Sequence, residues 1–311
     1  MGTTRLDARI RQAEHQLAAA AGVLVEEFSV RLPGTGGAVR VLAAGEGQPY
    51  LLLHGAALSA AWWIPLMPHL AGRLVAVDLP GHGLSDAHDP RAGTLRTVAV
   101  DLVTAVLDIE RLEQAVLVGH SLGGAVALWT ALDAPGRVSG IVLIGDAGPA
   151  LPGHRTDPPA GLLSLVADGL VAVQGPPDGY AAVLARWLRE PALLHLPDLA
   201  DVTYHSARRQ LSAPPVLRET PQHRRPGPDL LIGADELRRL DVPVRYLRGR
   251  DDDVRPIEPV RAAVAGIPGA GAQIVAGGHA PWLADPAPVS ALIRTAVPAS
   301  RPAISSQTPH V

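Results

Sequence analysis

Three places in the sequence carry residue types that can do covalent chemistry together. Ser121 stands in Gly119-His120-Ser121-Leu122-Gly123, after the apolar run "QAVLVG" and before the helix-forming run "GGAVALWTALD". Asp251, Asp252 and Asp253 follow "VRYLRG", and His279 follows "AQIVAGG". A serine hydroxyl is a weak nucleophile unless a base takes its proton and a third group orients that base. Serine, carboxylate and imidazole, each on a loop after a strand-like run, would make that set. Adjacent aspartates repel one another and cannot all turn into one pocket. One of the three therefore faces His279, and the others face solvent or cap the next helix.

The setting of Ser121 makes G-x-S-x-G informative. The motif falls between a strand and a helix, where a sharp turn exposes the hydroxyl. Glycines at both flanking positions leave room for strained backbone, and the helix that follows aims its N-terminal N–H groups at developing negative charge. The duller reading is an incidental serine in a glycine-rich turn, so weight falls on the downstream acid and base.

The elements that must position these residues alternate in a regular rhythm. "AVRVLAAG", "PYLLLHG", "RLVAVDLPG", "QAVLVGH", "GIVLIGD", "VPVRYLRG" and "AQIVAGG" are short apolar runs, with helical patterns at roughly 60–70, 94–110, 122–133 and 256–266. Runs apolar on both faces suit a mostly parallel central sheet flanked by helices, an α/β fold. The rhythm breaks between Gly148 and Leu240. That stretch is rich in proline and holds helical pieces such as "GLLSLVADGLVAV" and "GYAAVLARWLRE". It reads as a helical cap insertion, residues 148–240, over the C-terminal edge of the sheet, with "DPPAG" and "ETPQHRRPGPD" as hinges or exposed loops. The sheet-bearing core is then 23–147 and 241–297, preceded by a helix within 1–22 and followed by a tail, 298–311, without apolar period, which is expected to be disordered.

Composition bounds the partners. The 311 residues include no cysteine, lysine or asparagine and a formal net charge of -3. Disulfides, thiol nucleophiles and Cys-ligated metals are excluded, and no basic field exists for nucleic acid or an anionic membrane. Arg208-Arg209 and Arg224-Arg225 read as solvated faces. No window supplies about 18 uninterrupted apolar residues for a membrane span. Arg5, Arg9 and Arg11 before "LAAAAGVLV" imitate a signal peptide, but Glu14 and His15 interrupt the approach, so residues 5–22 read as an amphipathic helix and the protein as cytoplasmic. Leu6 stands where a myristoylation signal wants Ser or Thr. No metal-binding spacing such as H-E-x-x-H occurs, and the chemistry needs no cofactor.

The pieces "LLLHGAA", "VAVDLPGHGLSD", "LVGHSLGGAVAL", "VRYLRGRDDDVRP" and "GGHAPWLADP" together resemble the α/β-hydrolase fold superfamily, in its capped serine esterase, lactonase and C–C hydrolase type. The resemblance runs from about Val39 to Val289, the insertion matching in position and character only. It implies an α/β-hydrolase fold with Ser121 as nucleophile and His279 as base. It places the acid three residues after the glycine that ends the strand, at Asp252, with Pro256 four residues on. Asp146, after the preceding strand, is the reserve acid. The oxyanion hole would be the N–H groups of Leu122 and, by resemblance, Ala56. His54, His82 and Asp78 match turn positions of the family and read as scaffold. His120 could line the pocket. Trp62, Trp63 and Trp282 fit core packing at least as well as substrate contact, and Tyr204 and His205 could reach a ligand.

The implied activity is hydrolysis of a carboxylic ester or lactone of a small, largely apolar substrate through an acyl-enzyme. Competing expectations are C–C bond hydrolysis, a non-hydrolytic cyclase or lyase, and a small-molecule-binding protein on the same fold. The loop "HGAALSAAWW" departs from the glycine- and proline-rich version associated with ring-cleavage C–C hydrolases. A serine at the turn disfavours epoxide hydrolysis and dehalogenation, whose enzymes carry aspartate there. Substrate identity and oligomeric state stay open at this level.

Overall fold

A computed structural model describes residues 4–34, 37–87, 93–145, 169–212 and 230–297. Eight strands form one sheet: β1 (Glu26–Arg31), β2 (Ala38–Ala44), β3 (Pro49–Leu53), β4 (Arg73–Val77), β5 (Ala115–His120), β6 (Val138–Ile144), β7 (Val244–Gly249) and β8 (Gly271–Val275). Their order is β1-β2-β4-β3-β5-β6-β7-β8. The β1–β2 and β2–β4 pairs are antiparallel and the remaining pairs parallel. This is the mostly parallel α/β sheet expected from the alternating runs, in the α/β-hydrolase arrangement that the family resemblance implies.

The helices are α1 (Arg5–Ala21), α2 (Leu95–Ile109), α3 (Leu122–Asp133), α4 (Pro177–Leu188), α5 (Pro197–Ser212), α6 (Ala234–Leu237), α7 (Ile257–Ala265) and α8 (Pro286–Arg294). Central strands send alternate side chains into two separate cores. Leu51, Leu53 and Leu117 meet α2, α3 and α7, whereas Leu52, Val116 and Val118 meet α1, α8 and the insertion helices. Period-two alternation with apolar groups on both faces is what a doubly covered sheet requires.

The path of the chain creates the crevice. From β3 it crosses to β4 on one side and later returns to β5 on the other. The loops after β3 and β5 therefore part at the C-terminal edge, where open α/β sheets bind ligands. Ser121 and the Gly55-Ala56 loop lie at this point.

Some expectations need correction. No helix spans 60–70; two short 3-10 turns, Ala60–Trp63 and Met67–His69, take its place. Pro65 and Pro68 lack the N–H groups that an uninterrupted helix needs there. Residues 230–240, assigned above to the insertion, pack against the sheet instead. Leu230, Ile232, Leu237 and Leu240 join the core with α2 and α3, and Trp129 donates its indole N–H to the Leu230 carbonyl at 3.2 Å. Arg209 is no solvated cation: it bonds Asp7 of α1 at 2.9 Å and the carbonyls of Gly83 and Ser85 at 3.1 and 3.0 Å. Asp146, Arg224-Arg225, "DPPAG", "ETPQHRRPGPD", most of "GLLSLVADGLVAV" and the 298–311 segment lie outside the described residues.

Buried polar bonds fix the loop after β3. Asp78, fully buried at the end of β4, accepts from the N–H groups of Ala60 at 2.7 Å and Leu84 at 2.9 Å and from Arg40 at 3.3 Å. Arg40 is itself buried and donates to Glu14 of α1 at 2.8 and 2.5 Å and to Glu27 at 3.2 Å. One guanidinium thus joins α1, β1, β2 and β4. His54 lies between the loops after β3 and β4. Its Nδ1–H donates to the Gly55 carbonyl at 2.7 Å, and its Nε2 accepts from the Leu79 N–H at 2.9 Å. Both bonds require the neutral ring, and burial, reinforced by His82, pushes its pKa down to about 3.

Two outcomes are expected. Arg40→Leu leaves Glu14 and Asp78 buried without their cation and lowers the unfolding free energy by about 3–5 kcal/mol, read as a fall in denaturant midpoint; an unchanged midpoint would show that the network holds nothing together. His54 stays neutral in the fold to about pH 3, whereas the unfolded chain takes up that proton near 6.5. The stability it contributes is therefore complete above the unfolded value and is lost as pH falls towards the folded one. Imidazole nitrogen NMR should show the Nδ1–H tautomer of His54 unchanged from about pH 7 down to about pH 4; protonation within that range would contradict the assignment.

Candidate active site

The serine comes first in the chain and sits in the least comfortable backbone. Ser121 has φ 50° and ψ -114°, a region non-glycine residues rarely occupy, and it is the residue before the first turn of α3. Its strain is held by close packing on both sides. A Cβ at Gly119 would overlap the backbone of Gly123 and Gly124, and one at Gly123 would overlap the Leu53 carbonyl. Glycine is thus obligatory at these two positions because α3 presses against the ends of β3 and β5.

The turn also determines where donors point. Leu122 opens α3, so its N–H has no intrahelical acceptor. A Cβ on Gly55 would stand 2.8 Å from His120 Nδ1 and 3.2 Å from Ser121 Cβ, which puts the Gly55-Ala56 loop directly against the serine. Ala57 holds φ 62°, turning that loop tightly. Ala56, next to Gly55, and Leu122, the first residue of α3, thus lie on the two loops that meet at Ser121.

Of the three aspartates, only Asp252 is buried; its neighbours are exposed. Asp252 Oδ2 accepts from His279 Nδ1–H at 2.9 Å and Oδ1 from the Val254 N–H at 3.1 Å. Buried Arg248 of β7 donates to the Asp252 carbonyl at 2.6 Å and to that of Arg255, tying down the whole loop. Burial works to raise the Asp252 pKa, but the His279 bond, the charge of Arg248 and the Val254 N–H together hold it below the usual carboxylate value. Asp253 pairs instead with Arg189 at 2.6 Å.

His279 is buried on the loop after β8. With Nδ1–H given to Asp252, its Nε2 carries the lone pair, and this atom is buried without a hydrogen-bond partner among the described residues. The ring stands 4.7 Å from that of His120 and lies against Gly145, beside the serine turn. His120 Nε2–H donates to the His279 carbonyl at 3.0 Å, so His120 braces the histidine loop with its ring neutral. Burial, aided by the neighbouring His279, lowers its pKa well below the ordinary histidine value.

The remaining candidates pack and bond within the fold. Trp62, Trp63 and Trp282 are fully buried; Trp63 stacks on Trp282 at 4.6 Å, and Trp62 bonds Thr203 at 3.0 Å. Tyr204 donates its hydroxyl to the Gly175 carbonyl at 2.7 Å and contacts His205 at 5.1 Å. His82 packs on His54 at 5.1 Å. Sequence reasoning missed the contribution of the insertion: Trp187 of α4 packs edge-on to His279 at 5.9 Å, and Leu188 and Glu190 bond the same loop. In "ARWLRE" nothing distinguishes them from ordinary amphipathic helix residues.

Comparison with known proteins places the chain in a family. The model of the alpha/beta hydrolase family matches residues 50–292. A 2-hydroxymuconate semialdehyde hydrolase of Pseudomonas sp. (strain CF600) is 31% identical over 224 residues, 69% of this chain and 74% of that protein. The solved esterase RhEst1 from Rhodococcus sp. ECU1013 superimposes with a TM-score of 0.67 at 28% identity, over 87% of this chain and 97% of that one. Naproxen esterase from Bacillus subtilis shares the fold, with a TM-score of 0.75 at 21% identity over 95% and 99% of the two chains. With a strained serine between β5 and α3, a buried carboxylate after β7 and an imidazole after β8, and with the family matched across most of its length, the chain belongs to the alpha/beta hydrolase family and is a hydrolase.

Proposed function

We propose that the protein cleaves a carboxylic ester or lactone of a small, largely apolar molecule through an acyl-enzyme on Ser121. The observation that carries this reading is the buried Asp252–His279 bond, which leaves His279 Nε2 as an unpaired base beside the serine turn. His279 Nε2 takes the Ser121 proton as Oγ attacks the carbonyl carbon, and the Ala56 and Leu122 N–H groups hold the oxyanion. The imidazolium then returns the proton to the leaving oxygen, releasing an alcohol, or opening the ring of a lactone. A water deprotonated by His279 attacks the acyl-enzyme, and the acid leaves with Ser121 restored. Asp252 stays ionised throughout and stabilises the imidazolium. The alanine- and leucine-rich helices of the insertion favour an apolar acyl or alcohol group.

C–C bond hydrolysis is the second reading, favoured by the relative named for 2-hydroxymuconate semialdehyde. Against it stands "HGAALSAAWW", which lacks the glycine- and proline-rich character associated with that chemistry.

Intact-mass analysis after fluorophosphonate treatment, with turnover of short and medium p-nitrophenyl esters, tests the reading. Wild type should gain a single adduct and turn over esters; Ser121→Ala should do neither. A folded wild type that forms no adduct would sink the proposal, and faster cleavage of 2-hydroxymuconate semialdehyde than of any ester would favour the second reading. Asp252→Asn should lower kcat by about 10³–10⁴-fold by disturbing the tautomer and charge that His279 depends on. Retention of wild-type kcat would remove Asp252 from the mechanism.

A further inference from the structure

One more charged side chain reaches the site, from the insertion rather than the sheet. Glu190 follows α4 and is completely buried, a position that demands partners for a carboxylate. Its Oε1 accepts from the Gly278 N–H at 2.6 Å and the Ala280 N–H at 3.2 Å. Between them, the His279 N–H donates to the Leu188 carbonyl at 2.8 Å. Three consecutive N–H groups centred on His279 thus end on two residues of the insertion.

The intervening backbone is shaped for this contact. Arg189 ends α4 in the left-handed region, φ 54° and ψ 36°, and donates from its side chain to Asp253, next to Asp252. A Cβ at Gly278 would overlap the carbonyls of Leu188 and Arg189, so the two chains approach as closely as backbone allows. The contact grips the histidine loop and touches the aspartate loop, and no other carboxylate among the described residues accepts from the N–H groups beside His279.

We propose that Glu190 is a positioning residue: by accepting from the N–H groups on either side of His279, it fixes the backbone that aims the imidazole at Ser121. The proposal rests on the serine hydrolase reading above for its rate consequences. Both bonds end on Oε1, while Oε2 has no partner among the described residues. A glutamine can therefore keep both bonds through its amide oxygen. An aspartate, one methylene shorter, keeps the charge and loses the reach.

The test compares wild type with Glu190→Gln, Glu190→Asp and Glu190→Ala at a temperature where near-UV circular dichroism shows each folded. Glu190→Gln should keep kcat for p-nitrophenyl esters within about threefold, whereas Glu190→Asp and Glu190→Ala should lose about 10- to 100-fold in kcat with KM nearly unchanged. If the alanine variant fails to fold, the aspartate variant carries the comparison. A purely structural role would lower the melting temperature and leave kcat of the folded protein intact, and that result in Glu190→Asp would overturn the proposal. The His279 ring resonances supply a readout independent of turnover: they should move in Glu190→Asp and stay in Glu190→Gln. Unmoved resonances in Glu190→Asp would overturn the proposal, whereas absence of the fluorophosphonate adduct in wild type would overturn the serine hydrolase reading alone.

Discussion

Everything in the site is arranged around one strained residue. A non-glycine backbone at φ 50° and ψ -114° costs about 1–3 kcal/mol and persists only where its surroundings over-determine it. Here β5 is buried along its whole length between β3 and β6, and α3 is buried on nearly every face. Neither element can relax without opening the core. The Ser121 N–H is also spoken for, donating to the Ile144 carbonyl at the end of β6 at 3.1 Å. Strain at a single residue is set against the burial of two complete elements, and burial is much the larger quantity.

A second constraint is electrostatic. The imidazole, its carboxylate and the neighbouring His120 are all buried, where an unpaired charge is far more costly than in water. In the proposed mechanism a proton arriving on His279 Nε2 makes a cation, and Asp252, bonded to Nδ1 at 2.9 Å, is placed to neutralise it directly. His120 cannot share this task, since its Nε2–H is committed to the His279 carbonyl and burial opposes its protonation. The two histidines, 4.7 Å apart, thus differ: His279 Nε2 has no partner among the described residues, and His120 braces the loop that carries it. Negative charge on Glu190, in the same region, is opposed. Burial, with further push from Asp252 and Asp251, raises its pKa to about 7 against the pull of the two N–H bonds.

The legible part of this architecture is the part that repeats a local rule. Apolar runs ending in turn residues give the strands, and glycines around Ser121 mark a turn no other residue could make. The order serine, aspartate, histidine matches loops that the sheet then brings together. Selection among Asp251, Asp252 and Asp253 needed the family resemblance, because three identical neighbours differ only in burial and partner, and those are properties of the fold. The helix misread at 60–70 has a local cause as well. Its apolar spacing is helical, yet Pro65 and Pro68 remove the N–H groups on which continuation depends. Residues 230–240 escaped for the opposite reason: nothing in their composition says which core their leucines enter.

Glu190 and Leu188 belong to a class that sequence does not expose, long-range contacts in which backbone N–H and carbonyl groups do the recognising. Their need follows from the position of β8. That strand is the last in the sheet, paired on one side only and with most of its residues exposed, so the loop after it inherits less rigidity than those after β3 or β5. A base that must be aimed to a fraction of an ångström requires anchoring from outside the sheet, and α4 supplies it. Residues 188–190 therefore cannot leave the histidine loop without breaking three bonds around His279.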